Sequence, residues 1–147
     1  MYEIKKRTAL ITGASKRIGR SIAQGLARSG MNIVVHYNTS KDEAHKLLEE
    51  LHQTGSKALA VQGDLAIQGE AEDLIAKANE LAGRIDVLVN TASIFRPDGI
   101  LDFSGQELNL NVQINALSPL ILSRAFAKQT KEGAIVNLLD TRVAGID

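Results

Sequence analysis

Five short runs of aliphatic and β-branched residues alternate with longer stretches of helical periodicity, and this alternation narrows most what the chain can become. The runs fall at about Thr8–Thr12, Asn32–His36, Lys57–Gln62, Ile85–Asn90 and Ala134–Leu139. A short, continuously apolar run suits a strand buried on both faces, and an intervening helix supplies the crossover that parallel strands require. Four helices are expected between the strands. The first starts near Arg17 and stops before Gly30, a residue suited to the left-handed position after a helix. The second opens on Ser40-Lys41-Asp42-Glu43, a capping box in which Ser40 and Glu43 satisfy each other's free N–H groups, and fades before Gly55. The third covers Gln68–Ala82. The fourth opens on a second box, Ser104-Gly105-Gln106-Glu107, and runs to about Thr130. Right-handed crossovers then place the first strand centrally, with strands two and three on one side and four and five on the other. The predicted class is α/β: a three-layer, doubly wound parallel sheet of Rossmann type.

Ligands of open α/β sheets bind beyond the carboxyl ends of the strands where the winding reverses, here between strands one and four. The stretch Thr12-Gly13-Ala14-Ser15-Lys16-Arg17-Ile18-Gly19-Arg20 lies there, between a strand and a helix. Gly13 can take a tight turn, Gly19 lets the helix backbone come close, and free N–H groups at the new helix's start attract an anion. Lys16 and Arg17 add two cations at this mouth. The dinucleotide fingerprint G-x-G-x-x-G is absent, so the motif alone is moderate evidence. Asn90-Thr91-Ala92-Ser93 should face the same crevice, and Asp64 follows strand three at the same edge, where a carboxylate can accept from an adenine amino group or simply close a turn.

Composition removes other classes. With 147 residues, 44% hydrophobic and 23% charged, the chain suits one domain with a real core. Basic and acidic residues balance at 17 each, which leaves no electrostatic footprint for nucleic acid or an anionic membrane. Without cysteine there is no disulfide scaffold and no cysteine-ligated metal. No metal site is expected. The start, Met1–Arg7, lacks an apolar segment behind its charges, so a cytoplasmic location is expected.

These motifs, in this order, resemble the N-terminal part of a short-chain dehydrogenase/reductase, and most closely the pteridine reductase branch. Members usually carry Thr-Gly-x-x-x-Gly-x-Gly after the first strand; Arg17 replaces the middle glycine, as in pteridine reductase-like members, where Lys-Arg precedes Ile/Leu-Gly. Asn90-Thr91-Ala92-Ser93 is similar to their Asn-Asn-Ala-Ser, with Thr91 as the departure. Asp64-Leu65 matches the family's adenine contact, and Asn115-Ala116-Leu117-Ser118-Pro119 matches its Asn-Ala-x-x-Pro segment. The resemblance implies a nicotinamide cofactor held by Gly13, Ser15, Lys16, Arg17, Ile18, Gly19, Asp64, Leu65, Asn90, Thr91, Ala92 and Ser93.

Charge chooses between the two nicotinamide cofactors. An acid at the end of the second strand holds ribose hydroxyls but repels a 2′-phosphate. This chain offers His36-Tyr37-Asn38-Thr39-Ser40 instead, and Arg17 can reach the phosphate with its fork of donors while His36, Asn38 and Ser40 surround it; Tyr37 joins the expected cofactor-binding residues. NADP(H) is the expected cofactor. A merely solvated Arg17 and an internally satisfied His36 form the structural alternative.

Asn115 is a poor mid-helix residue, and Pro119, four positions on, has no N–H for the Asn115 carbonyl. The helix kinks there or the carbonyl stays free; in the family the matching asparagine holds a water of the proton relay. Asp140 stands where most members place a catalytic serine and pteridine reductases an aspartate, which suits proton delivery to a ring nitrogen; a loop or capping role is the alternative. Two Tyr-x-x-x-Lys spacings occur, Tyr2 with Lys6 and Tyr37 with Lys41, but neither follows the fifth strand, where the family's catalytic pair lies. The chain is therefore expected to be a cofactor-binding portion of a longer reductase of pterins or dihydropterins, inactive alone. In full length it would form a homo-oligomer through the helix bearing Val112, Leu117, Leu120 and Phe126. A carbonyl or 3-oxoacyl reductase and a noncatalytic NADP-binding module are the alternatives.

Overall fold

The computed structural model describes residues 4–95 and 104–139. Strands β1 (Thr8–Thr12), β2 (Asn32–Tyr37), β3 (Ala58–Gln62), β4 (Val87–Asn90) and β5 (Ala134–Asn137) form one sheet in the order β3-β2-β1-β4-β5. All neighbours are parallel, with Leu10 opposite Val34 on one side and Leu88 on the other. The order reverses at β1, so the crevice expected between strands one and four exists. The fold is a Rossmann-type, doubly wound α/β sheet.

The pleat sorts the apolar residues into two cores. Ala9, Ile11, Ile33 and Val35 face α1 (Arg17–Arg28) and α2 (Lys41–Gln53), where Ala23, Ala27, Ala44, Leu47 and Leu51 cover them. Leu10, Val34 and Leu88 face the opposite layer, α3 (Gln68–Ala82) and α5 (Ser118–Gln129), and meet Leu74, Ile75, Leu122 and Phe126. Because consecutive residues of β1 point to opposite layers, the whole strand is buried, which is why its sequence does not alternate with polar residues. β5, at the edge, is exposed throughout.

Helix ends follow local chemistry in part. Gly30 closes α1 at φ +88°, with the Met31 N–H reaching back to the Leu26 carbonyl. The Ser104–Glu107 capping box forms in full. The box expected at Ser40 does not: the Ser40 side chain caps nothing, and the Glu43 carboxylate instead meets Lys16 at 2.9 Å. A cation on the neighbouring loop outcompetes the local N–H. The expected fourth helix is interrupted: α4 (Gly105–Val112) passes through a π turn at Gln113–Leu117 before α5 begins. Pro119 cannot donate to Asn115, and the wider turn absorbs that missing bond. Phe126, expected on an outer face, is a core residue at 3% exposure.

Candidate functional site

The carboxyl ends of β1 and β4 are tied together by one hydroxyl. Thr12 Oγ1 accepts from the N–H groups of Thr91 at 3.0 Å and Ala92 at 3.1 Å, while the Thr91 hydroxyl donates to the Thr12 carbonyl. Thr12 was legible only as the last residue of a strand; its role needed the register of β1 against β4. Thr91, the departure from the family pattern, is therefore a structural tie. The turn above these ties has no room for a side chain at either of its glycines. A Cβ at Gly13, which sits at φ +63°, would lie 2.9 Å from Ala92 Cα; one at Gly19 would lie 2.7 Å from both the Gly13 carbonyl oxygen and Thr91 Oγ1. Both glycines are thus demanded by close approach of backbone to backbone.

α1 begins at this loop without a side-chain cap and without an acid in its first turn. Its first N–H groups and positive dipole end consequently face the crevice available to an anion. Three cations stand nearby, and they are not equivalent. Lys16 is held by Glu43, whose carboxyl this hydrogen bond keeps below its ordinary range; Arg20 is held by Glu50 at 2.5 Å, and Gln24 reaches the same carboxylate. The exposed Arg17 makes no ion pair with any described residue. It also sits at φ +50°, a left-handed conformation in which glycine would be unstrained. The glycine usual at this position in the family thus has a backbone reason, and Arg17 keeps its guanidinium there despite the strain. Exposed Ile18 offers an apolar side chain at the same mouth, and Ser15 is buried.

His36 does not join a phosphate site, contrary to the expectation from sequence. Its ring is 2% exposed, and both nitrogens are used inside the protein. Nδ1 accepts from the Gly13 N–H at 3.1 Å, which fixes the proton on Nε2, and Nε2 donates to the Gly63 carbonyl at 3.0 Å. Burial lowers its pKa from 6.5 to about 4, so the ring is neutral at physiological pH. The structural alternative for His36 is the one observed. Asn38 is exposed, while Tyr37 and Ser40 are half-buried at the end of β2, and this edge carries no carboxylate before Asp42.

Across the crevice, Asp64 closes a turn by accepting from the Ala66 N–H at 2.9 Å, and its own N–H donates to Glu70. One carboxylate oxygen is left without a partner among the described residues. The Leu65 side chain belongs to the core and its carbonyl accepts from Ser118 Oγ at 2.6 Å, so neither is open to a ligand. Asn90 is buried; its amide nitrogen donates to Asn137 at 2.8 Å, and its Oδ1 has no partner among the described residues. Ser93 is exposed and Ala92 half-buried at the rim. The Asn115 side chain grips the loop after β4, accepting from the Ile94 N–H at 2.9 Å and donating to the Ile94 carbonyl at 2.8 Å. That clamp was not visible in the sequence, which marks only the poor helix propensity of Asn115 and the carbonyl that Pro119 cannot engage. Asp140 lies outside the described residues. No cluster of metal-ligating side chains occurs among the described residues.

A crevice closed by backbone ties, opened by an uncapped helix and flanked by Asn90 and Asn115 has the layout of one enzyme family, and residues 7–140 match the family model of the short-chain dehydrogenases. The chain belongs to this family. A 3-oxoacyl-[acyl-carrier-protein] reductase of a Synechocystis species is 34% identical over 149 residues, covering 99% of this chain and 60% of that protein. An oxidoreductase of Methylorubrum extorquens is also 34% identical, over 139 residues covering 94% of this chain and 56% of that protein. The chain thus spans somewhat over half the length of these relatives. Among solved structures, a short-chain dehydrogenase of Burkholderia cenocepacia in complex with NADP superposes with a TM-score of 0.93 at 27% identity, covering 99% of this chain and 60% of that one. FolM alternative dihydrofolate reductase 1 of Brucella canis, complexed with NADP, superposes at 0.89 and 30% identity, over 99% of this chain and 58% of that one.

Proposed function

We propose that this chain is the cofactor-binding part of an NADP(H)-dependent reductase whose substrate is a pterin or dihydropterin. The observation that carries the cofactor half is Arg17, a guanidinium with no ion pair among the described residues, held in a left-handed conformation beside a strand end that carries no carboxylate before Asp42. The glycine-walled loop and the uncapped α1 fit a pyrophosphate, Arg17 with Asn38 and Ser40 fits a 2′-phosphate, and the free oxygen of Asp64 fits an adenine amino group. When bound, a reduced nicotinamide supplies the hydride. The chain's own residues orient and deliver protons. Asn115 fixes the loop after β4 through Ile94, and its backbone carbonyl, which Pro119 cannot engage, would hold a relay water. Asp140 would pass a proton to a ring nitrogen of the substrate.

The likeness to the FolM dihydrofolate reductase favours the pterin reading, while the identity to the Synechocystis protein favours a second one, reduction of a 3-oxoacyl thioester. In the full-length enzyme, a dihydropterin and an oxoacyl thioester should be compared as substrates in the wild type, Asp140→Ala and Asp140→Ser. The pterin reading expects dihydropterin turnover that Asp140→Ala abolishes while NADPH binding persists. Turnover of the thioester alone, with Asp140→Ser neutral or better, establishes the second reading instead.

A further inference from the structure

The carboxyl end of β2 holds two loops at once, and one side chain makes the connection. On one side His36 Nδ1 accepts from Gly13 N–H at 3.1 Å while the His36 carbonyl accepts from Ala14 N–H at 3.1 Å. On the other, His36 Nε2 donates to the Gly63 carbonyl at 3.0 Å and the Tyr37 carbonyl accepts from Gly63 N–H at 3.1 Å. The Gly13 turn is thereby pinched between His36 and Ala92, with no space for a Cβ against the latter. Gly63 packs on the imidazole itself, its Cβ position being 3.7 Å from Nε2. A rigid five-membered ring with one acceptor and one donor, both engaged and out of water, sets a distance between two backbones.

We propose that His36 is a positioning residue that fixes the glycine turn after β1 and the Gly63–Asp64 loop after β3 relative to one another. On the NADP(H) reading given above, on which the nucleotide part of this proposal rests, these loops address the pyrophosphate and the adenine, so one imidazole sets the span over which the two ends of the nucleotide are held. The ring also consumes the Gly13 N–H, and the His36 carbonyl that of Ala14. The anion is left to the N–H groups that open α1.

Two substitutions separate the two bonds. His36→Asn places its side-chain oxygen near the Nδ1 position and keeps an acceptor for Gly13; His36→Gln places its amide nitrogen near the Nε2 position and keeps a donor for Gly63. Amide exchange at Gly13 should quicken about tenfold in His36→Gln and stay near the wild-type rate in His36→Asn, the size of one hydrogen bond's net contribution. Affinity for 2′-AMP, a probe of the adenosine end alone, should show the reverse: about tenfold weaker in His36→Asn and within about threefold of wild type in His36→Gln. Affinity for NADPH, which spans both loops, should fall in both. If both variants move both readouts together, the ring is core packing and the proposal fails. It fails equally if wild-type Gly13 exchanges as an unprotected amide. Should the wild type bind neither nucleotide, the NADP(H) reading falls, and the exchange contrast at Gly13 still decides the role of His36.

Discussion

Arg17 separates binding from stability more cleanly than any other residue of the crevice. Replacing it with glycine removes about 1 kcal/mol of left-handed strain but adds comparable freedom to the unfolded chain, so the melting temperature should barely move. The guanidinium is lost all the same. Calorimetry should show NADPH bound roughly tenfold or more weakly by Arg17→Gly, with NADH unaffected; equal losses for the two cofactors would remove Arg17 from the 2′-phosphate site. His36 makes a prediction in pH. Its folded-state pKa, about 4, lies below the ordinary value of 6.5 expected in the unfolded chain, so the folded state disfavours the proton. The stabilisation is fully present above pH 6.5 and is lost as the pH falls toward 4, when an imidazolium would turn a second N–H against that of Gly13. The total is roughly 3 kcal/mol. Urea unfolding at pH 7 and pH 4.5 should therefore show a larger loss for the wild type than for His36→Gln, which carries no titrating ring.

Within α1, two glycines that look alike in sequence answer to different constraints. A methyl group at Gly19 would strike the Gly13 carbonyl and Thr91 Oγ1, whereas one at Gly25 meets nothing within 4 Å. Gly19→Ala should cost about 1–3 kcal/mol through forced backbone shifts. Gly25→Ala should instead gain about 0.5–1 kcal/mol from helix propensity. Thermal melts of the two variants test both signs, and a destabilised Gly25→Ala would contradict the open space beside it. The same contrast shows what could be read beforehand. Strand positions and the sheet order were legible because both-face burial leaves unbroken aliphatic runs, and the crossover rule then fixes the order. The side chains at strand ends were not. Ser40 and Glu43 form a correct capping-box pattern, but Lys16, 27 positions away from Glu43, offers that carboxylate a charge. His36 stands where a phosphate ligand would, but its ring turns inward because two backbone groups there need partners. Local pattern names the candidates; the fold decides between them. The π turn was half legible, since Pro119 marked the missing bond without specifying how the helix would absorb it.

At the scale of the whole molecule, the sheet gathers the chemistry at one end, and the cores on its two faces hold that end still. The chain carries no net formal charge, with 17 basic and 17 acidic residues, so no broad field draws an anion toward the crevice. The local field is smaller than the motif's three cations suggest. Lys16 and Arg20 each lean on a carboxylate of α2, which leaves Arg17 as the one of the three with no ion pair among the described residues. The kinetics of capture follow. A polyanionic nucleotide should reach this site by ordinary diffusion with little electrostatic steering, and stopped-flow association rates should decline with added salt as for one cation, not three. Glu43→Gln, by releasing Lys16, should steepen that salt dependence and speed encounter at low ionic strength. Neutralised neighbours thus make the site one that selects its ligand after contact, through close fit, rather than one that gathers phosphates from a distance.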